Sequence, residues 1–239
     1  MDAFWQSEFW RVFKQNFIEE NRWTYLASGL QTTLVVTLLA LLMGILLGGL
    51  VAILRVMHDK EERPGRALRL ADAVCRLYLT LIRGTPMMLQ LLIMYFVIFG
   101  SVKIDKTVTA VLAFGINSGA YLAEIFRGGI MSIDPGQTEA GRSLGLPYRV
   151  VMARIILPQA VKNVLPALVN ELIALLKETS IVGYIGLRDL TRGADVIRSQ
   201  TWVAFAPLLG AAAIYLLIVI LLTKLAGRIE RRLGQSDRG

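Results

Sequence analysis

IDPGQTEAGRSLGLPYRVVMARIILP, residues 133–158, reads as two short helices set at an angle by one glycine. Asp134 is placed to cap the first helix by accepting from the amide of Gln137. Pro135 suits the first helical position, and the Gln137 side chain can reach back to Asp134, as in a capping box. The spacing predicts a helix through Glu139, Ala140, Gly141 and Arg142 to Leu144, with Gly145 as the left-handed residue that ends it. Pro147 then opens a second helix through Tyr148, Val151 and Ile155 toward Leu157 and Pro158. Two such helices joined by an elbow form a shape that can dock into a groove.

Outward from this segment the chain is apolar. Of 239 residues 55% are hydrophobic and only 18% charged, against about 45–50% and 25% in soluble domains, and the mean hydropathy is +0.56. Long uncharged runs at 23–54, 84–102, 107–123 and 199–223 are each near or above the ~18 residues of a spanning helix. A weaker fifth run, 155–176, is interrupted by Lys162 and Glu171, with Pro158 marking a helix start and Pro166 a kink. The expectation is an all-α membrane protein with five transmembrane helices. Gly44, Gly48 and Gly49 in the first span read as close helix packing. One cysteine, Cys75, and one histidine, His58, allow no intrachain disulfide and no histidine-based metal cluster, so no metal site is expected. The net charge of +8 is distributed between apolar runs, as loops facing an anionic leaflet require, and does not point to nucleic acid.

Lysine and arginine set the orientation. Arg55, Lys60, Arg63, Arg66 and Arg69 follow the first span. Arg127, Arg142, Arg149 and Arg154 lie between the third and fourth, and Lys224, Arg228, Arg231, Arg232 and Arg238 follow the fifth. These segments are expected in the cytoplasm, which puts the N-terminus outside and the C-terminus inside. Residues 1–22 lack the basic n-region of a signal peptide. Their repeat of Trp5, Phe9, Phe13 and Phe17, with Glu8, Arg11, Lys14 and Glu19 on other faces, reads as an amphipathic interfacial helix, the alternative being an ordinary packed helix. The division that follows is 1–22 for that helix, 23–228 for the spans and a basic tail at 229–239. Between Arg66 and Arg83 the residues Arg69, Asp72, Arg76, Thr80 and Arg83 form a stripe opposite Leu70, Val74, Leu77, Tyr78 and Leu81. Either this helix lies along the interface, or it is the lower half of one helix that kinks near Gly84 and Pro86 and turns its stripe inward.

Glu139 and Ala140, then Gly145, Ile155, Leu157 and Pro158, reproduce the spacing of the EAA loop, and the chain resembles a permease of the ABC importers. Gly141 stands where the third position is usually alanine. GLQTTL at 29–34, RGTPMMLQ at 83–90, NSGAYLAEIFR at 117–127, LPALVNE at 165–171 and KETS at 177–180 are similar, in order, to the polar amino acid subfamily, the histidine and glutamine permeases. The resemblance implies the fold of a type I importer permease in a bacterial inner membrane. It implies a second permease subunit, identical or homologous, a cytosolic ATPase dimer, and an extracytoplasmic solute-binding protein that delivers a polar amino acid. It also implies that the loop couples to the ATPase, with Glu139, Ala140, Gly141, Arg142 and Gly145 at the contact. The chain contains no Gly-x-x-x-x-Gly-Lys-Ser/Thr phosphate loop, so ATP and magnesium belong to the partner ATPase and no cofactor is expected on this chain.

An amino acid crossing an apolar bundle needs charge and hydrogen bonds. Glu171, ~13 Å along its helix from Lys162, is deep enough that its ionised form needs a partner, and it could receive an ammonium group. Asn117, Ser118, Tyr121 and Gln90 are further pathway candidates, each also able to serve as an interhelical hydrogen bond, and Arg83 joins them if its helix turns inward. Glu124 and Arg127 share one helical face and suit a mutual ion pair. On the residues alone, a proton-coupled carrier with Glu171 and Glu124 as its relay and a non-transporting scaffold stay open beside the importer.

Overall fold

α1, Trp23–Lys60, is a 38-residue helix, about 57 Å long at 1.5 Å per residue and so longer than the ~30 Å hydrocarbon layer of a bilayer. The computed structural model describes Glu8, residues 10–61 and residues 63–235. α1 packs most extensively on α4, Lys106–Met131. Small residues make the approach possible: a Cβ on Gly48 would lie 2.8 Å from the carbonyl oxygen of Gly119, and one on Gly44 3.0 Å from Ser118 Oγ. Close backbone approach replaces hydrophobic burial as the source of packing between spans. Gly49 differs from the expectation. Nothing lies within 4 Å of where its Cβ would be, because it faces an apolar groove shared with Ile53, Phe126 and Leu168.

α2, Arg66–Arg83, and α3, Met87–Leu92 with a wider turn over Ile93–Ile98, meet at a bend of 104°. The run expected as a second span at 84–102 is therefore a short helix, about 18 Å long, set across α2. Pro86 has no N–H to continue α2 and Gly84 accepts the terminal geometry, so the chain turns instead of kinking. Asp72 of the α2 stripe is buried, whereas Leu70, Val74, Leu77 and Leu81 are more than half exposed. Of the stripe only Asp72 turns inward, beside Cys75 and Leu79, while Arg69, Arg76, Thr80 and Arg83 are exposed.

Asp105 caps α4 by accepting from the amides of Thr107 and Val108. The bonds from Thr107 and Val108 hold its carboxylate below the usual range. α5, Pro135–Ser143, and α6, Tyr148–Val151, form the elbow, and α6 passes through a wide turn at Met152–Ile156 into α7, Leu157–Glu178. α7 begins with Pro158 in its first turn, as the sequence predicts, and the wide turn leads into it through helical backbone. The wide turn precedes the proline and absorbs the clash its ring would make with the carbonyl four residues back, while Gln159 Nε2 donates to the Ile155 carbonyl at 2.8 Å. Pro166 lies inside α7.

α8, Leu190–Thr201, is a separate helix ending at Trp202 in the left-handed region, and α9, Phe205–Gln235, follows. The run expected to start at residue 199 thus starts after this turn, and the basic stretch from Lys224 continues as helix through Gln235. α1, α4 and α9 are each long and apolar enough to cross a membrane, and the bent α2–α3 pair meets the same test when taken together. α7, Leu157–Glu178, is helical as expected but is not among the helices that meet it.

Of the N-terminal repeat, Trp5 and Phe9 lie outside the described residues. Phe13 and Phe17 stack at 5.2 Å, but a wide turn at Lys14–Ile18 and a tighter one at Glu19–Asn21 follow, with Glu20 and Asn21 at positive φ. Asn16 is buried and accepts from Thr201 Oγ at 2.8 Å, so residues 14–18 pack onto the end of α8.

Candidate functional site

The elbow forms much as its residues dictate. Asp134 caps α5 with Pro135 at the first turn, although its side chain accepts from Gly136 at 2.8 Å and the Gln137 amide goes to the Asp134 carbonyl instead. Gly145 sits at φ +79°, and the Leu146 amide closes back on the carbonyl of Gly141 at 3.2 Å. Gly141 is the buried member of the motif. A Cβ there would meet Val151 Cγ2 at 2.9 Å, so glycine lets α5 close on α6. Glu139, Ala140 and Arg142 are exposed. Leu144, at the tip, is 81% exposed. That apolar protrusion went unnoticed in the sequence because the helical pattern enclosed it.

The elbow is seated on the bundle. Val151, Ile156 and Ala160 pack with Val56 of α1 and Ile130 of α4, flanked by Ile133, Leu146 and Ile155. Glu139 and Tyr148 line a cavity of about 390 Å³ with Lys60 at the end of α1.

Deeper in the bundle, neighbouring residues of α4 reach to opposite sides. Ser118 Oγ donates to Glu171 Oε1 of α7 at 2.7 Å, and Asn117 Nδ2 donates to Gln90 Oε1 of α3 at 2.9 Å. Gln90 in turn donates to the carbonyl of Ile82 and to Thr85 Oγ at 2.7 and 2.8 Å, which ties the α2–α3 bend. The phenol of Tyr78 donates to the Ile116 carbonyl at 2.6 Å. Tyr121, the next polar residue on this face of α4, lies 5.5 Å beneath the guanidinium of Arg83. The sequence-predicted pathway residues therefore converge on α4, with Glu171 on one side and Gln90 and Arg83 on the other.

Glu124 and Arg127 pair at 3.1 Å as expected, within a larger ion network. Arg55 of α1 contacts Glu124 and lies 3.5 Å from Asp72, Arg76 bonds Asp72 at 2.6 Å, and Arg127 reaches Asp59 at 3.4 Å. Arg55 and Asp72 are nearly buried and act as hubs joining α1, α2 and α4. In the sequence the positive residues after the first span signal topology, and helical spacing alone gives no contact across helices. His58, Asp59 and Asp72 bring ligand atoms within 4.8 Å of one another, but the guanidiniums of Arg55, Arg76 and Arg127 already fill the cationic role there.

A second joint is not legible in the sequence. Gly29 and Gly193 allow α1 and the start of α8 to touch backbone to backbone, since a Cβ on Gly29 would collide with the carbonyl of Asp189 and one on Gly193 with that of Tyr25. Asp189 caps α8 through the amides of Thr191 and Arg192, and the Leu190 amide donates to Thr33 Oγ at 3.2 Å. The GLQTTL segment thus receives this turn.

Comparison with known proteins agrees with this geometry. Residues 65–235 match the family described as binding-protein-dependent transport system inner membrane component. The arginine transport system permease protein ArtQ of Bacillus subtilis is 45% identical over 67% of this chain and 74% of its own. The glutamine transport system permease protein GlnP of Escherichia coli is 38% identical over 69% and 76%. A crystal structure of an amino acid ABC transporter with histidines superimposes with a TM-score of 0.79 at 42% identity, covering 90% of this chain and 98% of that one. The MetNI methionine ABC transporter shares the fold, with a TM-score of 0.72 at 19% identity. No observation favours the proton-coupled carrier, whose second relay group, Glu124, is held between Arg55 and Arg127. The chain belongs to the binding-protein-dependent transport system inner membrane component family, the permease subunits of ABC importers.

Proposed function

We propose that this chain forms the translocation pathway for a polar amino acid in an importer whose ATP hydrolysis resides on a separate cytosolic ATPase dimer. A second permease subunit completes the pathway, and a binding protein delivers the substrate from outside. The chain itself binds neither ATP nor magnesium in this reading. Five crossings, with α7 as the fourth, put the elbow, Arg55 and the end of α9 on the cytoplasmic side.

One observation carries the mechanism: helical backbone runs without interruption from Tyr148 to Glu178. The second arm of the elbow and Glu171 lie on one helical rod that passes a wide turn at Met152–Ile156 and Pro166. Closure of the ATPase around Leu144, Glu139 and Arg142 would displace α6, and the packing of Val151 and Ile156 against α1 and α4 would carry the movement to α7. The bond between Ser118 and Glu171 would then open and close with the rod, exposing a carboxylate to the α-ammonium of the amino acid or to a cationic side chain. Gln90, Asn117 and Tyr121 supply uncharged partners along the same path. A coupled pair of conformations of this kind needs two differential sets of contacts, one at the ATPase and one at the substrate.

The test is uptake of the twenty amino acids by vesicles containing the complete complex, with binding protein outside and ATP inside. ATP-dependent accumulation of one or a few polar amino acids is expected. Accumulation driven by a proton gradient without ATP would overturn the reading.

A further inference from the structure

We propose that a cavity between α1, α2 and α4 is a subsite for the α-carboxylate of the amino acid in transit, with Arg83 as the residue that receives it. The proposal rests on the transport reading above. The cavity measures about 400 Å³ and is lined by Arg55, Arg76, Thr80, Arg83, Glu124 and Arg127.

Charge counting identifies the ligand. Four guanidiniums face one lining carboxylate. Two acids behind them balance most of the excess: Asp72 binds Arg76 and Arg55, and Asp59 binds Arg127, while Glu124 is shared by Arg55 and Arg127. Four positive and three negative charges leave one cation, and it is Arg83, whose only partner among the described residues is the ring of Tyr121. Nε of Arg127 is a further buried donor without a hydrogen bond, whereas Nε of Arg55 faces Asp72 Oδ1 at 3.5 Å. A planar monoanion with two oxygen acceptors matches one unpaired guanidinium.

Position favours an amino acid carboxylate over a lipid phosphodiester. Tyr78 of α2 bonds Ile116 of α4, and Gln90 bonds both Ile82 and Asn117, so the Arg83 end of α2 lies level with the polar centre of the bundle and not with its charged end at Asp59. From Asn117 the face of α4 continues through Tyr121 and Glu124 to Arg127 in steps of three and four, about 15 Å along the axis. One polar track therefore joins the Asn117–Gln90 pair to the cavity. Arg83 is exposed in this chain, and an unpaired arginine at that depth is costly unless the surface it faces is a water-filled pathway.

The experiment measures binding to the nucleotide-free complex in lipid nanodiscs. Twenty radiolabelled amino acids identify those that bind, and each of these is compared with its α-amide, which lacks the negative charge, and with inorganic phosphate and phosphatidylglycerol as competitors. Wild type should prefer the free acid, and Arg83→Gln should lower affinity for the acid roughly 10- to 150-fold while leaving the amide unchanged. Arg83→Lys should recover part of the loss, which separates charge from misfolding. Equal affinities for acid and amide in wild type, an unaltered Arg83→Gln, or displacement by phosphatidylglycerol alone would overturn the subsite and leave the transport reading intact. Binding of none of the twenty would remove both.

Discussion

Ser118 and Glu171, on different helices, meet through a hydrogen bond of 2.7 Å, with the hydroxyl donating to the carboxylate. Ser118 itself is fully buried and abuts Gly44 of α1, so the bond sits where α1, α4 and α7 come together. A carboxylate on the rod that carries the elbow is thereby referenced to the most tightly packed helix pair in the fold.

Glu171→Gln keeps shape and hydrogen bonding but deletes the charge. If the carboxylate receives an ammonium group, affinity in transport should fall roughly 10- to 150-fold, the loss of a charge-assisted bond, with complex assembly unchanged. Uptake of cationic, neutral and acidic amino acids at saturating binding protein, measured beside melting temperatures, decides it. An unchanged substrate profile with a lowered melting temperature would assign Glu171 to packing.

Glu139→Ala and Gly145→Pro should leave a complex that inserts but is uncoupled. The proline cannot adopt the positive φ of +79° that the elbow uses, and the alanine removes a polar contact at the ATPase. Substrate-stimulated ATP hydrolysis in reconstituted vesicles is the readout. Wild-type stimulation in both variants at normal assembly would exclude the elbow from coupling.

Gly29→Ala should destabilise the protein by about 1–3 kcal/mol, the usual range for overpacking. Its Cβ would press on the carbonyl of Asp189, which is backbone and cannot rotate away. Gly49→Ala, in open space, serves as the control and should be near neutral. Thermal unfolding in detergent compares them, and equal melting temperatures would show that the α1–α8 joint relaxes.

Asp105 contributes through an ionised cap whose carboxylate lies below its ordinary value of 3.8. A depressed value in the folded state means that the contribution is complete above 3.8 and disappears as the pH falls through the lower folded value. The difference in melting temperature between wild type and Asp105→Ala should be constant at neutral pH and shrink in acid. A difference that persists at the lowest pH would contradict the cap.

Orientation is tested with single cysteines at Ser7 and Ser236 in a Cys75→Ser background. An impermeant thiol reagent added to sealed right-side-out cells should label only the first. Labelling of the second would reject five crossings.

The sequence alone determined those features that depend on local chemistry. Asp134, Pro135 and Gly145 set the elbow because capping, a fixed φ and a left-handed turn are properties of a few adjacent residues. The apolar runs at 23–54 and 107–123 marked helices because length and hydropathy are local sums. Tertiary structure alone decided where polar residues meet. Arg55 and Asp72 were legible as charges but not as hubs, since helical spacing relates residues on one helix and says nothing of its neighbour. It also decided that α2 and α3 meet at 104°, and that a wide turn at Met152–Ile156 joins α6 to the start of α7 at Pro158, because a wide turn before a proline is selected by packing on both sides. Gly29 follows the same rule: a glycine in an apolar helix is read as packing, and only the folded chain shows that its missing Cβ is the space taken by Asp189.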